Sequence, residues 1–233
     1  MEAIIFANQC DDQLKKHIGE IPTSMAAING KPLIYYVISF LVDHGFDNAI
    51  IIVGDMHDIV EDYVGYEFHG MRINYSQIKK NNSITSAILK AAKEIKSKEV
   101  FLLNASAFFQ VPYELMKDTF LQHKAEVLMA LKKGSDKQLG FAVAIDDNFR
   151  VQSISETSEK KEKLIFGGTC AMQKRAIEKS IDQLVNLFNG ERPEMPLTST
   201  GSYGLPLDNF YFHLATADDY LKSHEEFSNH KIR

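Results

Sequence analysis

Ala3-Ile4-Ile5-Phe6-Ala7 and Ala49-Ile50-Ile51-Ile52-Val53-Gly54 are short apolar runs without polar alternation, the pattern of strands buried on both faces. Between them, Asn29-Gly30-Lys31-Pro32 is a turn signal that ends on Pro at the expected first helical position. Leu33, Val37, Phe40, Leu41 and His44 then fall at helical spacing, and His44-Gly45 reads as the stop. Strand, long loop, helix and strand form a right-handed βαβ unit, the seed of a mostly parallel sheet. In such a unit the loop after the first strand lies at the carboxyl edge of the sheet, where nucleotides usually bind. Here that loop is Asn8-Gln9-Cys10-Asp11-Asp12-Gln13-Leu14. A phosphate-holding loop needs glycines for close backbone approach, and donors or cations facing the anion. This loop has no glycine and two adjacent carboxylates, so its charge would repel a triphosphate.

Farther along, Asp58 to Tyr63 reads as a short helix, which Asp55 is expected to cap, and Arg72 to Tyr75 as a short strand. Asn82 or Ser83 is a candidate cap for a helix with Ile84, Ala87, Ile88, Ala91 and Ile95 as its apolar stripe. Val100-Phe101-Leu102-Leu103 is a third buried strand, ending at Asn104-Ala105-Ser106; a helix follows Pro112, and Val127 to Leu131 is another strand. Phe141 to Ile145 and Val151 to Ile154, joined by Asp146-Asp147-Asn148, read as a hairpin. Ser155 to Lys163 is a charged loop, and Leu164 to Met172 a strand interrupted at Gly167-Gly168. Arg175 to Leu187 is an amphipathic helix, and Asn189 to Leu205 a loop long enough for a lid or contact arm. Phe210 to Phe212 is a last short strand, and Thr216 caps a closing helix from Ala217 to Phe227.

The 233 residues suffice for one domain with a substantial core, and a net charge of −5 argues against a broad nucleic-acid surface. The pairs Lys15-Lys16, Lys79-Lys80, Lys132-Lys133 and Lys160-Lys161 read as solvated loop or strand ends, with a local anion site as the other reading. Cys10 and Cys170 are the only cysteines and form no CxxC pair, which suits a cytoplasmic protein with reduced thiols. No secretory signal and no apolar run of about 20 residues is found, so no membrane association is expected. The histidines show no metal-ligand spacing.

Several runs resemble the sugar-1-phosphate nucleotidyltransferases, the family that makes NDP-sugars and pyrophosphate from an NTP and a sugar 1-phosphate. Ile21-Pro22-Thr23-Ser24-Met25 followed by Asn29-Gly30-Lys31-Pro32-Leu33 resembles its "IPKPM…NGKPL" stretch. His44-Gly45 through Val53-Gly54 is similar to "HGI…IVVVG", and Thr216-Ala217-Asp218-Asp219-Tyr220 to the closing "TPEDY". By length the chain is similar to the short bacterial enzymes acting on hexose or heptose 1-phosphates. The resemblance implies one domain over residues 1–233: a three-layer α/β/α sandwich around a mainly parallel, Rossmann-like sheet. It also implies a small sugar-side β flap at about 140–172 and a long loop at 190–206.

The residues that carry the family's chemistry differ. Asn8 and Gln9 stand at the paired glycines of its "GGxGTRL" loop, with Cys10 after them, Asp11 at the third glycine and Asp12 beside it. Gln13 replaces the phosphate-gripping arginine, and Thr23 the lysine of "PKP". Ser83, Thr85 and Ser86 occupy the base-side "GTAG" position. Ser106 and His213 stand where the family places its two metal-binding aspartates. Asn104, Glu156 and Gly168 fall on the sugar side, Glu156 being what remains of "EKP". Nucleotidyl transfer needs hard Mg²⁺ on carboxylate oxygens and cations on the phosphates.

The resemblance therefore implies a folded relative with a degenerate site, no resident cofactor and no bound metal. Such a protein would act by binding a partner, an intact paralogue or a second copy of itself, or by binding a ligand. A second reading is an active transferase in which Asp11, Asp12 and Glu156 hold Mg²⁺ and Lys15, Lys16 or Lys31 supply the cations. A third has Asn8, Gln9, Gln13, Asn104 and Ser106 as neutral contacts to a carbohydrate-like ligand.

Overall fold

The computed structural model describes residues 1–78, 83–134, 141–156, 163–189 and 201–232. Strand β1 (Glu2–Phe6) leads through a one-turn helix α1 (Lys15–Ile18) to a hairpin, β2 (Ala27–Ile28) and β3 (Lys31–Pro32), and helix α2 (Leu33–Asp43). Strand β4 (Asn48–Val53), helix α3 (His57–Val64), strands β5 (Glu67–Phe68) and β6 (Met71–Gln77) and helix α4 (Ile84–Glu94) follow. The middle of the chain forms β7 (Glu99–Asn104), β8 (Ala107–Phe109), α5 (Tyr113–Gln122) and β9 (Val127–Gly134). Then come β10 (Phe141–Ile145), β11 (Val151–Glu156), β12 (Lys163–Gln173), α6 (Lys174–Ile177) and α7 (Ile181–Asn189). Strands β13 (Ser202–Leu207) and β14 (Tyr211–His213) and helix α8 (Ala217–Asn229) close the chain.

All five residues of β1 are buried, as the unalternating apolar run predicts. It pairs in parallel with β4 on one edge and β7 on the other, and β4 pairs in parallel with β6. The three predicted buried strands thus share one sheet, ten-stranded among the described residues. On one face of β1, Ala3 and Ile5 join a core with Leu33, Ile34 and Ile38 of α2, Met116 of α5 and Phe227 of α8. On the other, Ile4 and Phe6 join Ile88 and Ala91 of α4, Ile177 of α6 and Phe188 of α7. Helices therefore cover both faces of a mainly parallel sheet. Each fully buried Ile or Leu contributes about 1.5–3 kcal/mol.

Beyond β7 the sheet changes character. β12 runs antiparallel to β7 and to β9, and β13 lies parallel along the far edge of β9. The segment predicted as a flap thus divides. Its hairpin β10–β11 reaches β12 through Ala142 and Ile165, whereas β12 is an integral sheet strand. The register of β12 on β9 shifts between Phe166 and Cys170, across the predicted glycine interruption. An ideal Cβ on Gly167 would lie 2.4 Å from the Phe109 ring, so the strand passes there only without a side chain. At the end of β9, Lys132 Nζ donates to the carbonyls of Asp208 and Asn209 at 3.0 Å each, and Lys133 pairs with Asp208 at 3.1 Å.

Several local expectations need correction. Pro32 is the N-cap of α2 rather than its first helical residue, because it is already engaged in the hairpin opposite Ala27. The turn of that hairpin puts Asn29 and Gly30 at φ 49° and 82°, the left-handed pair that favours Asn-Gly. Asp55 does not cap α3: Met56 holds that position without a side-chain bond, leaving the carboxylate one residue too early. The helix expected from Arg175 to Leu187 breaks at a 3-10 turn, Glu178–Ser180. The end of the predicted long loop is strand β13, Pro206 included; residues 190–200 and most of the charged loop before Lys163 lie outside the described residues. Thr216 caps α8 as expected and forms a reciprocal capping box with Asp219.

Gly167→Ala is expected to lower stability by about 1–3 kcal/mol through the displaced Phe109 ring. Chemical denaturation of the variant beside the parent measures it.

Candidate functional site

At the carboxyl edge of β1 and β7 the chain encloses a cavity of about 610 Å³. The loop after β1 supplies Gln9, Cys10, Asp11, Asp12 and Gln13, and the following 3-10 turn adds Thr23. Asn104 comes from the end of β7, Gly168 from the kink of β12 and His213 from the end of β14. Most positions singled out in the sequence are thus brought together. Ser106 sits just behind the wall, 3% exposed. The Asn8 side-chain oxygen is buried without a hydrogen-bond partner among the described residues.

The base-side positions are placed elsewhere. Ser83 caps α4 by accepting the Ser86 N–H at 3.3 Å, and none of Ser83, Thr85 or Ser86 lines the cavity. Residues 79–82, including Asn82, lie outside the described residues. The backbone of Glu156 ends β11 opposite Phe141.

Sequence reasoning missed the apolar half of the cavity: Phe141, Phe166, Leu187, Phe188 and Tyr211. Phe188 lay one residue beyond the helix read from the sequence. It stacks on Phe6 with ring centroids 4.2 Å apart and meets Phe166 edge-on at 5.9 Å. Only the apolar stripe of α7, extended by one position, carried a signal for it.

Gln9 ties the polar and apolar halves together. Its Nε2 donates to the Phe188 carbonyl at 2.6 Å, and its backbone carbonyl accepts the Thr23 N–H at 2.9 Å. The Ser106 hydroxyl lies 2.7 Å from both Gln9 Oε1 and Asn104 Oδ1, and donates its hydrogen bond to one or the other. One side chain thereby joins the loop after β1, the loop after β7 and the last turn of α7. A glycine at this position could make none of these side-chain bonds. The Thr23 hydroxyl, in a residue 2% exposed, has no hydrogen-bond partner among the described residues and belongs to the cavity wall.

The electrostatics follow from the same residues. Among the described residues, no Lys or Arg lines the cavity, whereas Asp11 and Asp12 do. Asp12 is paired with Lys15 at 2.7 Å, the carboxylate largely in solvent and the lysine side chain less than half so. Asp11 Oδ1 accepts the Gln13 N–H at 2.8 Å, so it is engaged by its own loop. Lys31 holds its ammonium 3.9 Å over the Tyr35 ring, away from the cavity. Burial pushes the His213 imidazole below its ordinary pKa of about 6.5, against a smaller upward pull from Asp219, so the ring is neutral at pH 7. Among the described residues, no three His, Cys, Asp or Glu side chains converge as metal ligands.

A mainly parallel sheet clothed by helices, extended by an antiparallel half, with a polar cleft at its carboxyl edge, defines the nucleotide-diphospho-sugar transferase architecture. Residues 20–230 match the nucleotidyl transferase family model. The chain belongs to that family, as its resemblance to the sugar-1-phosphate nucleotidyltransferases implied. A D-glycero-alpha-D-manno-heptose 1-phosphate guanylyltransferase of Aneurinibacillus thermoaerophilus is 28% identical over 99% of this chain and 100% of its own. The enzyme of the same name from Campylobacter jejuni is 30% identical over 75% of this chain and 76% of its own. The crystal structure of HddC from Yersinia pseudotuberculosis superposes with a TM-score of 0.78 at 19% identity, covering 97% of this chain and 99% of that one.

Two outcomes are expected. Gln9→Ala removes the amide that clamps α7, costing about 1–3 kcal/mol and raising hydrogen exchange across residues 181–188. His213, with its folded pKa lowered, binds fewer protons in the native than in the unfolded chain. Its contribution is complete above about pH 6.5 and is lost as pH falls below that value. His213→Gln should therefore flatten the fall of melting temperature between pH 7 and pH 5.

Proposed function

We propose that this protein is a binding homologue of the sugar-1-phosphate nucleotidyltransferases that no longer transfers nucleotides, and that its cleft takes a neutral, carbohydrate-like ligand. The observation that carries the reading is the charge of the cleft: two carboxylates, a neutral imidazole and, among the described residues, no lysine or arginine. A triphosphate placed there meets the Asp11 carboxylate with no lining cation among the described residues to offset it, since the lysine nearest the loop, Lys15, is already paired with Asp12.

The donor set does not suit Mg²⁺ either. The two positions the resembled family gives to metal aspartates are Ser106 and His213, and Asp11 and Asp12 already have partners. Amides and hydroxyls opposite aromatic rings fit hydroxyl groups on a sugar better than phosphates. Within nucleotide-sugar and polysaccharide metabolism, such a protein would report a ligand to an intact paralogue or to a second copy of itself. The competing reading, an active transferase with a rearranged site, is favoured by relatives named as guanylyltransferases at 28–30% identity.

Calorimetric titration with GTP and Mg²⁺, followed by a pyrophosphate-release assay with heptose 1-phosphate, separates the two. The proposal expects no saturable binding in the micromolar range and no pyrophosphate; turnover would establish the competing reading. Asp11→Gly, Asp12→Thr and Gln13→Arg together shift the loop by three charges, and Ser106→Asp with His213→Asp returns carboxylates. Together with Asn8→Gly and Gln9→Gly, which restore close backbone approach, this combination is expected to gain Mg²⁺-dependent triphosphate binding while remaining folded. A folded variant that still ignores triphosphate shows that more of the cleft has diverged than these charges.

A further inference from the structure

A second cavity lies at the opposite end of the same strands, and nothing in the family reading accounts for it. It measures about 760 Å³ and is walled by Lys93 of α4, Lys96 and Lys98 of the turn before β7, and Lys174 and Arg175 of α6. Glu99 and Glu178 are its two carboxylates. The chain as a whole carries −5, so this concavity opposes the sign of the protein. Among the described residues, no salt bridge joins any of these seven side chains.

The frame that presents the cations is fixed. The buried Glu2 carboxylate accepts the backbone N–H groups of Lys96 and Ser97 at 2.9 and 2.5 Å, which pins the turn. The Lys174 N–H donates to the Lys98 carbonyl at 2.7 Å, and its Nζ donates to the Ile95 carbonyl. Arg175 Nε donates to Gln173 Oε1 at 2.7 Å, leaving the outer guanidinium nitrogens unused by that bond. Leu89 and Ala92 give the cavity one apolar wall.

The bland account is that cations near the end of α4 answer the partial negative charge of a helix C-terminus. Lys93 and the Nζ of Lys174 fit it. Lys96, Lys98 and Arg175 do not, because they come from two other elements and crowd like charges around one hollow. An anion seated there would meet several cations at once, none of them in a salt bridge among the described residues.

We propose that this cavity is a binding site for a small polyphosphate anion, two or more linked phosphates, held by Lys96, Lys98 and Arg175 and separate from the cleft. Such a ligand could be free or the tail of a nucleotide, and the two sources share the chemistry that the cations recognise.

The test is calorimetric titration of the full chain with inorganic tripolyphosphate, then with GTP, both without Mg²⁺. Saturable one-site binding of tripolyphosphate, weakening as salt rises, is expected. Lys96→Gln with Lys98→Gln should weaken it at least about tenfold, since removing one charge-assisted hydrogen bond costs about that factor. Lys124→Gln with Lys231→Gln, which removes the same charge elsewhere, should leave it within about twofold, the range of exposed charges acting only at long distance. Binding of GTP that is likewise abolished in Lys96→Gln/Lys98→Gln would identify a nucleotide tail as the source. Absence of saturable tripolyphosphate binding, or equal weakening in both double variants, overturns the proposal. Tripolyphosphate binding that disappears in the cleft variant Gln9→Ala but persists in Lys96→Gln/Lys98→Gln also overturns it, and contradicts the reading of the cleft as well.

Discussion

Everything in this molecule hangs on β1 being enclosed on four sides. Its two edges are used by parallel neighbours, and its two faces by the two hydrophobic cores. A strand so enclosed cannot shift register by one residue without exchanging Ile4 and Phe6 with Ala3 and Ile5 between cores of different shape. Its lower end is locked too. Glu2 accepts the Asn48 amide at 2.8 Å, and Asn74 reaches Asn48 at 3.3 Å, so β1, β4 and β6 are tied in line. Burial raises the pKa of Glu2, but hydrogen bonds from Ser97, Asn48 and Lys96 outweigh it and keep the carboxylate ionised. With direction and register settled, the loop after Phe6 has one place to emerge, and that place is the cleft.

What the cleft then became is a matter of side chains. In a glycine loop the backbone itself faces a ligand; here an amide fills that space and spends its donor on helix α7 and its acceptor on Ser106. Polar groups satisfied by each other inside a protein are rigid and specific. The Thr23 hydroxyl, unpartnered among the described residues, marks where the wall still has bonding capacity. The capping box of Thr216 and Asp219 holds the opposite wall, because the Asp219 carboxylate also accepts the Ala215 N–H at 3.2 Å.

The sheet was legible in the sequence wherever burial is two-sided. Runs such as Ala49 to Val53 have no polar residue with which to imitate a helix or a surface strand. The Asn29-Gly30 turn and the Thr216 cap were legible for a different reason, since each rests on local chemistry within four residues. Strand β13 was not legible. Gly204, Pro206 and the neighbouring turn residues read as loop, and only the partner strand β9, about seventy residues earlier, makes them a strand. The break in the α6–α7 helix and the cavity role of Phe188 are likewise tertiary facts. The basic hollow was invisible because Lys93 to Lys98 and Lys174 to Arg175 meet only after β7 and β12 pair.

The pairing of β9 with β13 also bears on how the protein is made. At about 5–20 residues per second, the roughly seventy residues between the two strands take about 4–14 s to synthesise. For that interval the apolar run Val127 to Leu131 has its β13 edge bare, first with no sheet neighbour at all and then, once β12 is made, as the exposed edge of the sheet, ready to pair with any other extended chain. The run is followed in β9 by Lys132 and Lys133, which later hold the Asp208–Asn209 turn. While β13 is still unmade the same two lysines act as gatekeepers, placing charge on the edge most exposed to aggregation.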